Sequence, residues 1–208
     1  MYLTQIDPKG KNLQFQRGNC EFLACALHDA YDYQAIALVQ VTRESENPVS
    51  AEELLAMSYD EYSEYGDSCD FADSVNLIHC FSSFQMNDKT YYVDSLGVTD
   101  DINDILRNFD YFYQNAPRDD FQLISFENPH DIQQCHWSTY YDWFGDDDFE
   151  QQTEEYRVKP AQAFVQKYSD LLTIQPPQRL DDLIAAAGAA TPGDKTDGQQ
   201  HTREDDAR

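Results

Sequence analysis

Cys20, His79 and Asp94 are the side chains of this sequence whose types and spacing can do chemistry together, and Gln14 adds a fourth part. A cysteine is a nucleophile once it is a thiolate, and a free thiol with a pKa near 8.5 needs help to become one. A histidine can take and return a proton near neutral pH, and a carboxylate can hold the imidazole in one tautomer. His79 follows Cys20 by 59 residues, and Asp94 follows His79 by 15. Gln14 stands six residues before Cys20, where a side-chain amide can donate to a developing oxyanion. Nucleophile, base, orienting acid and oxyanion donor are the parts of acyl transfer.

Local pattern says how such parts are positioned. Gly18-Asn19 is a loop signal, Asn19 is a good helix N-cap, and Phe22, Leu23, Ala26 and Leu27 then recur at helical spacing. The spacing predicts a helix from 20 to about 31 with Cys20 in its first turn. There, unpaired backbone N–H groups and the positive end of the helix dipole favour a thiolate. Residues 35–42 are apolar and β-branched enough for a strand covered on both faces. Residues 75–85 and 89–94 read as a hairpin turning at Asn87-Asp88. In that hairpin His79 and Asp94 fall within a residue or two of register, and cross-strand neighbours on one face approach to about 5 Å at Cβ.

The glutamine six residues before a helix-start cysteine, the strand histidine, and the acid in Tyr92-Val93-Asp94-Ser95-Leu96-Gly97 resemble the papain-like cysteine peptidase and transglutaminase superfamily. The short cysteine-to-histidine distance resembles its compact, bacterial-type members. The resemblance covers residues 14–97. It implies an α+β fold with a papain-like core, in which an N-terminal helix carrying the cysteine packs on an antiparallel sheet and C-terminal helices are added. It also implies a thiol hydrolase or acyl transferase with Cys20 as nucleophile, His79 as base, Asp94 as orienting acid and Gln14 at the oxyanion. The expected partner is a protein or peptide substrate, with no cofactor and no metal. Two residues depart from the pattern. Glu21 puts a carboxylate beside the nucleophile, which opposes thiolate formation. Cys80 follows His79 directly and should point to the other face of its strand. Core packing is the alternative reading for Cys20, and the preferred one for Cys25.

Charge sets the second reading. The 208 residues carry 39 acids and 14 basic residues, a net charge of −25. Seven acids and four bases lie after residue 175, which leaves −22 on residues 1–175. Such a body repels phosphate backbones and anionic membranes, so direct nucleic-acid or membrane binding is not expected. It suits either plain solubility or an acidic interaction protein with a basic protein partner. That second class includes DNA-mimicking inhibitors from phages or mobile elements, which need no catalysis. Acids cluster at 60, 61, 64, 67, 70 and 73, and again from 142 to 155. A papain-like scaffold that binds without catalysing is the intermediate case.

The remaining organisation follows from breakers and caps. Ser50 and Glu53 form a capping box for a helix ending near Gly66; Ser95 to Val98 leave the hairpin; Thr99 caps a helix over 100–109; residues 121–126 form a strand. Residues 130–144 have helical character, and a helix runs from about Pro160 to Thr173. A single domain over 1–175 is expected, its papain-like core over 10–130, with a flexible polar tail over 176–208 that holds at most a short helix at 179–190. The five cysteines, at 20, 25, 69, 80 and 135, lack a Cys-x-x-Cys pair and read as reduced thiols. His28 reads as solvated. Neither Cys135-His136 with His130 nor Asp146-Asp147-Asp148 has the spacing of a metal site. With no apolar run long enough for a membrane span and no secretory leader, the expected compartment is the cytoplasm of the producing cell or of a host.

Overall fold

The strand richest in apolar residues sits where both of its faces can be covered. In the computed structural model, which describes residues 1–6, 13–16, 18–44, 49–50, 53–54, 57–68, 73–117, 120–134 and 153–174, β1 spans Gln34–Thr42. It lies between β2 (Ser74–Met86) and β5 (Phe121–Phe126), antiparallel to both. With β3 (Lys89–Asp94) and β4 (Gly97–Thr99) the sheet runs β4-β3-β2-β1-β5, every pairing antiparallel. Ala35, Ala37, Val39 and Val41 face one side and Ile36 and Leu38 the other, which explains the unbroken apolar run.

α1 (Cys20–Tyr31) covers the first side. Its residues 20 to 27 are all buried: Cys20 and Ala24 pack on Ala35 and Ala37, while Phe22, Leu23, Ala26 and Leu27 join a second cluster with Phe15 and Val93. Asn19 occupies the N-cap position, but its side chain makes no capping hydrogen bond; the helix start is held by packing and by the Leu23 N–H to Asn19 carbonyl bond. The opposite side of the sheet is covered by α3 (Ile102–Leu106), a 3-10 turn at Arg107–Phe109, and α4 (Asp110–Asn115), with Ile105 and Phe109 buried on Ile36, Leu38 and Phe81. The helix expected over 100–109 is therefore shorter and begins later. Asp101, not Thr99, caps it by accepting the Asn103 N–H, and Thr99 instead donates to the Asp104 carboxylate at 2.6 Å.

The expected box at Ser50 and Glu53 is present, with reciprocal bonds of 3.1 and 3.2 Å. An unforeseen second box at Ser58 and Glu61 opens α2 (Tyr59–Ser68). After β5, a 3-10 segment Pro129–Gln134 places Ile132 in the cluster that holds Cys20; the rest of the helix expected over 130–144 lies outside the described residues. A π-helical turn at Glu154–Val158 leads into α5 (Lys159–Lys167) and α6 (Ser169–Leu172), with Pro160 in the first turn of α5. Ala161, Phe164 and Val165 lie over α1, and the Phe164 ring meets Phe15 edge-on at 5.0 Å. Met1–Ile174 form one unit, and the tail expected from residue 176 lies outside the described residues.

Two details of the sheet position the site. Asn87 and Asp88 both take left-handed φ, 53° and 60°, the signature of a two-residue turn whose twist matches the hairpin, and Met86 pairs Lys89. On the other edge of β2 the register slips: Leu38 pairs His79 but Val39 pairs Leu77, so Ile78 is an extra residue in a bulge. Val75 and Leu77 face α1; straight alternation would put His79 there too. The bulge turns His79 to the other face, with Phe81, and gives Cys80 the α1 side.

Where the sequence reads as an exit from the hairpin, the chain instead turns at Ser95-Leu96 and forms β4. Residues 1–6 lie along it: the Leu3 and Ile6 N–H groups donate to the Val98 and Leu96 carbonyls at 2.7 and 2.9 Å. Gly97, at φ +129°, allows this close approach, because a Cβ there would stand 2.2 Å from the Thr4 carbonyl oxygen. Gly97→Ala is therefore expected to lower stability by roughly 1–3 kcal/mol. Urea unfolding measures it, and an unchanged midpoint would mean that residues 1–6 do not need this path.

Candidate active site

The helix-start thiol, the bulged strand and the end of β3 meet at one place. His79 is fully buried, with its ring stacked on Phe109 at 4.5 Å between centroids and near Phe81 at 6.1 Å. Asp94, 1% exposed, is the last residue of β3 and shares the face of His79. Its Oδ2 lies 3.8 Å from His79 Nε2, an ion-pair distance longer than a hydrogen bond. Among the described residues neither ring nitrogen of His79 has a hydrogen-bond partner.

Cys20, 4% exposed, lies beside the same imidazole although its own packing is on the α1 side. The sheet makes room for this. β3 pairs β2 only from Ser82 to Met86, so the stretch of β2 that carries His79 has β1 on one edge and, among the described residues, no strand on the other. A side chain at that open edge can meet residues from both faces, and Cys20 acts on Cys80 as well as on His79.

The electrostatics follow from burial and from who is near. Burial works to lower the pKa of His79; Asp94, and then Cys20, outweigh it and lift the pKa from 6.5 to about 9. The pKa values of Cys25 and Cys80 are raised as well, which keeps both as neutral, inert thiols. Burial is the main cause for both, joined by Asp29 and Glu21 at Cys25, and by Cys20, Cys25 and Glu21 at Cys80. Glu21, 1% exposed in the first turn of α1, adds the smallest share to this upward shift at both thiols. Cys25 is core, as the sequence suggests.

The acid is held firmly. Asp94 Oδ1 accepts the Leu96 N–H at 2.8 Å, and Oδ2 accepts the Tyr2 hydroxyl at 3.2 Å and the Gln16 amide at 3.1 Å. Gln16 Nε2 also reaches Ser95 Oγ at 2.7 Å. The sequence singles out Gln14, yet Gln14 is exposed at a 3-10 turn (Leu13–Phe15), where its carbonyl accepts the Asn19 N–H. The glutamine amide that reaches the acid is Gln16's. Two amides flank Phe15, which packs inward, and nothing in the local pattern says which of them turns toward the site. Tyr2 had no signal at all, since its position depends on a pairing with residues more than 90 positions away.

Other candidates resolve simply. His28, expected in solvent, is half-buried with Nδ1 3.0 Å from the Tyr33 carbonyl, and His130 Nε2 lies 3.0 Å from Asp29 Oδ1. Cys69, Cys135, His136 and Asp146 to Asp148 lie outside the described residues. Among the described residues no helix is long and apolar enough to cross a membrane. Comparison of the chain with protein-family models, with curated proteins and with solved structures finds no match.

The raised pKa of His79 has a thermodynamic consequence of definite sign. A histidine that binds its proton more tightly in the folded state stabilises fully below its unfolded pKa, about 6.5, and loses that contribution as pH rises through about 9. The fall should be on the order of 3 kcal/mol across that window. Unfolding free energies between pH 6 and 9.5 are expected to show it, and His79→Gln to flatten it; an equally steep fall in His79→Gln would place the effect elsewhere.

Proposed function

We propose that this protein is a thiol hydrolase or acyl transferase of the peptidase or amidase type, built on a papain-like core and acting in the cytoplasm of the producing or host cell. The observation that carries the reading is the convergence of Cys20, His79 and Asp94, from three separate elements, on one buried imidazole. Nε2 faces Asp94, which leaves Nδ1 for the thiol proton. In this reading the Cys20 thiolate attacks an acyl carbon, and its proton rests on His79. The negative oxygen of the tetrahedral intermediate lies near the first-turn N–H groups of α1, whose dipole favours it. As the intermediate collapses, His79 protonates the departing amine or alkoxide and leaves a Cys20 thioester. Water, or an acceptor amine or alcohol, then gives its proton to His79 and releases the acyl group.

The nearly closed surface over Cys20 makes reagent size informative. Iodoacetamide at pH 7.5 is expected to label Cys20 ahead of Cys25 and Cys80, and faster than it labels a model thiol, with bulky maleimides lagging. An activated ester such as p-nitrophenyl acetate should leave one acetyl group on Cys20, read by peptide mass spectrometry. His79→Ala should slow both reactions by about 10²–10⁴-fold, and Cys20→Ala should abolish them. Alkylation no faster than a model thiol, with no acyl adduct, rules the reading out.

A second reading has its own observation. α2 exposes Asp60, Glu61, Glu64 and Asp67, and a groove of about 600 Å³ runs past Glu53, Glu61 and Glu64 over Met57 and Tyr65. We propose this acidic face as the place where a basic protein partner would bind, with or without catalysis at Cys20. Capture of such a partner should weaken steeply between about 50 and 300 mM salt, because the screening length of exposed charges shortens from about 14 Å to about 6 Å over that range. Glu61→Lys with Glu64→Lys should abolish it, and Cys20→Ala should leave it intact. Salt-independent capture contradicts this reading.

A further inference from the structure

We propose that Tyr2 and Gln16 are the positioning residues of this site: together they clamp Asp94 Oδ2 and fix how the carboxylate meets His79. The inference rests on the thiol-enzyme reading and adds two residues to it. Oδ2 is shared among the Tyr2 hydroxyl at 3.2 Å, the Gln16 amide at 3.1 Å and His79 Nε2 at 3.8 Å, while Oδ1 is taken by the Leu96 N–H. The carboxylate is held from several directions, and the imidazole is its longest contact.

Each clamp comes from a different part of the chain, and each ties the acid to something that matters. Gln16 precedes Cys20 by four residues, in the segment that delivers α1. Its amide bridges Asp94 and Ser95, so the segment that leads to the nucleophile helix and the β3–β4 turn are fastened to each other. Tyr2 rides on residues 1–6, which lie along β4 over Gly97. Its ring packs against the cluster of Phe81, Ile105 and Phe109, so the hydroxyl reaches the acid from the apolar side. Burial, and then Asp94, hold the phenol well above its ordinary pKa, so it stays a proton donor. The titratable groups that act on His79 are Asp94 and Cys20; those that act on Tyr2 are Asp94 and, more weakly, Asp104.

The clamp also tempers the acid. Each donor to Oδ2 spreads the carboxylate charge and weakens its hold on an imidazolium. Tyr2→Phe keeps the ring in its cluster and deletes only that donor. Gln16→Ala removes the bridge to the helix start, so the carboxylate loses its fixed direction.

The test is the titration of His79, followed through the ring Cε1–H by NMR, beside the pH profile of Cys20 alkylation and the unfolding midpoint of each variant. Tyr2→Phe should raise the His79 pKa by about half a unit to one unit, less than the roughly 1–2 units that one hydrogen bond to a charged group is worth, because the imidazole feels the loss only through the carboxylate. Gln16→Ala should slow Cys20 alkylation at pH 7 about tenfold or more, with a shifted profile. A merely structural role would lower the unfolding midpoint and leave both profiles in place, and that result overturns the clamp. Asp94→Asn separates the two levels. If it moves His79 while Tyr2→Phe and Gln16→Ala do not, the clamp is wrong and the thiol-enzyme reading stands. If Tyr2→Phe moves His79 but no acyl adduct ever forms on Cys20, the clamp is right and the enzyme reading falls.

Discussion

A carboxylate and an imidazole with almost no access to water persist only where the fold supplies what water would have given. Asp94 meets that demand with hydrogen bonds from a backbone N–H, a phenol and an amide, whereas His79 meets it electrostatically, through the Asp94 carboxylate 3.8 Å away and the neighbouring Cys20. Each supplier comes from a different element, so the requirement reaches across the fold. It fixes the path of residues 1–6, the turn before α1, the bulge in β2 and the point where β3 ends. Gly97 belongs to the same constraint, because a side chain there would displace the segment that carries Tyr2.

The parts of the architecture that depend on local signals were legible in the sequence. The helix from 20 to 31, the strand over 35–42, the hairpin with its Asn87-Asp88 turn and the Ser50–Glu53 box follow from periodicity, left-handed turn residues and caps. The choice of Cys20, His79 and Asp94 came from their spacing on those elements. What the sequence hid is what depends on a partner far along the chain. β4 is three residues long, and Ser95-Leu96 read as an exit because the segment that covers β4 lies more than 90 residues earlier. The bulge at Ile78 hid as well: Val75, Leu77, His79 and Phe81 alternate as if they shared one face. The exchange of Gln14 for Gln16 is of the same kind, since which amide turns inward depends on how Phe15 packs against Phe164.

The bulge deserves weight because it divides labour between adjacent residues. Without it His79 would face α1 among Val75 and Leu77, far from the side chain of Asp94. With it, His79 and Asp94 share a face, and Cys80 goes to the α1 side near Cys20, Cys25 and Glu21. Glu21 then bears on the thiols at 25 and 80, both held well above the ordinary thiol range. One extra residue in a strand thus places the imidazole of His79 beside the carboxylate of Asp94 and sends the neighbouring thiol into a setting where it is inert.

Stability alone does not account for such a cluster. Burying ionisable groups is expensive, and apolar replacements of similar volume commonly leave a protein equally or more stable. The surroundings are ready for them: His79 stacks on Phe109, and Phe81, Ile105 and Tyr92 complete an apolar face that another aromatic ring would extend. Cys20 likewise sits among Ala24, Ala35 and Ala37, where an alanine or valine would pack. A core that could have been wholly apolar instead holds an acid, an imidazole and a thiol in contact, with the acid clamped by an amide from the turn that leads to the thiol. Packing alone has no use for that arrangement, and it is the one that the proposed proton transfer between Cys20 and His79 would need.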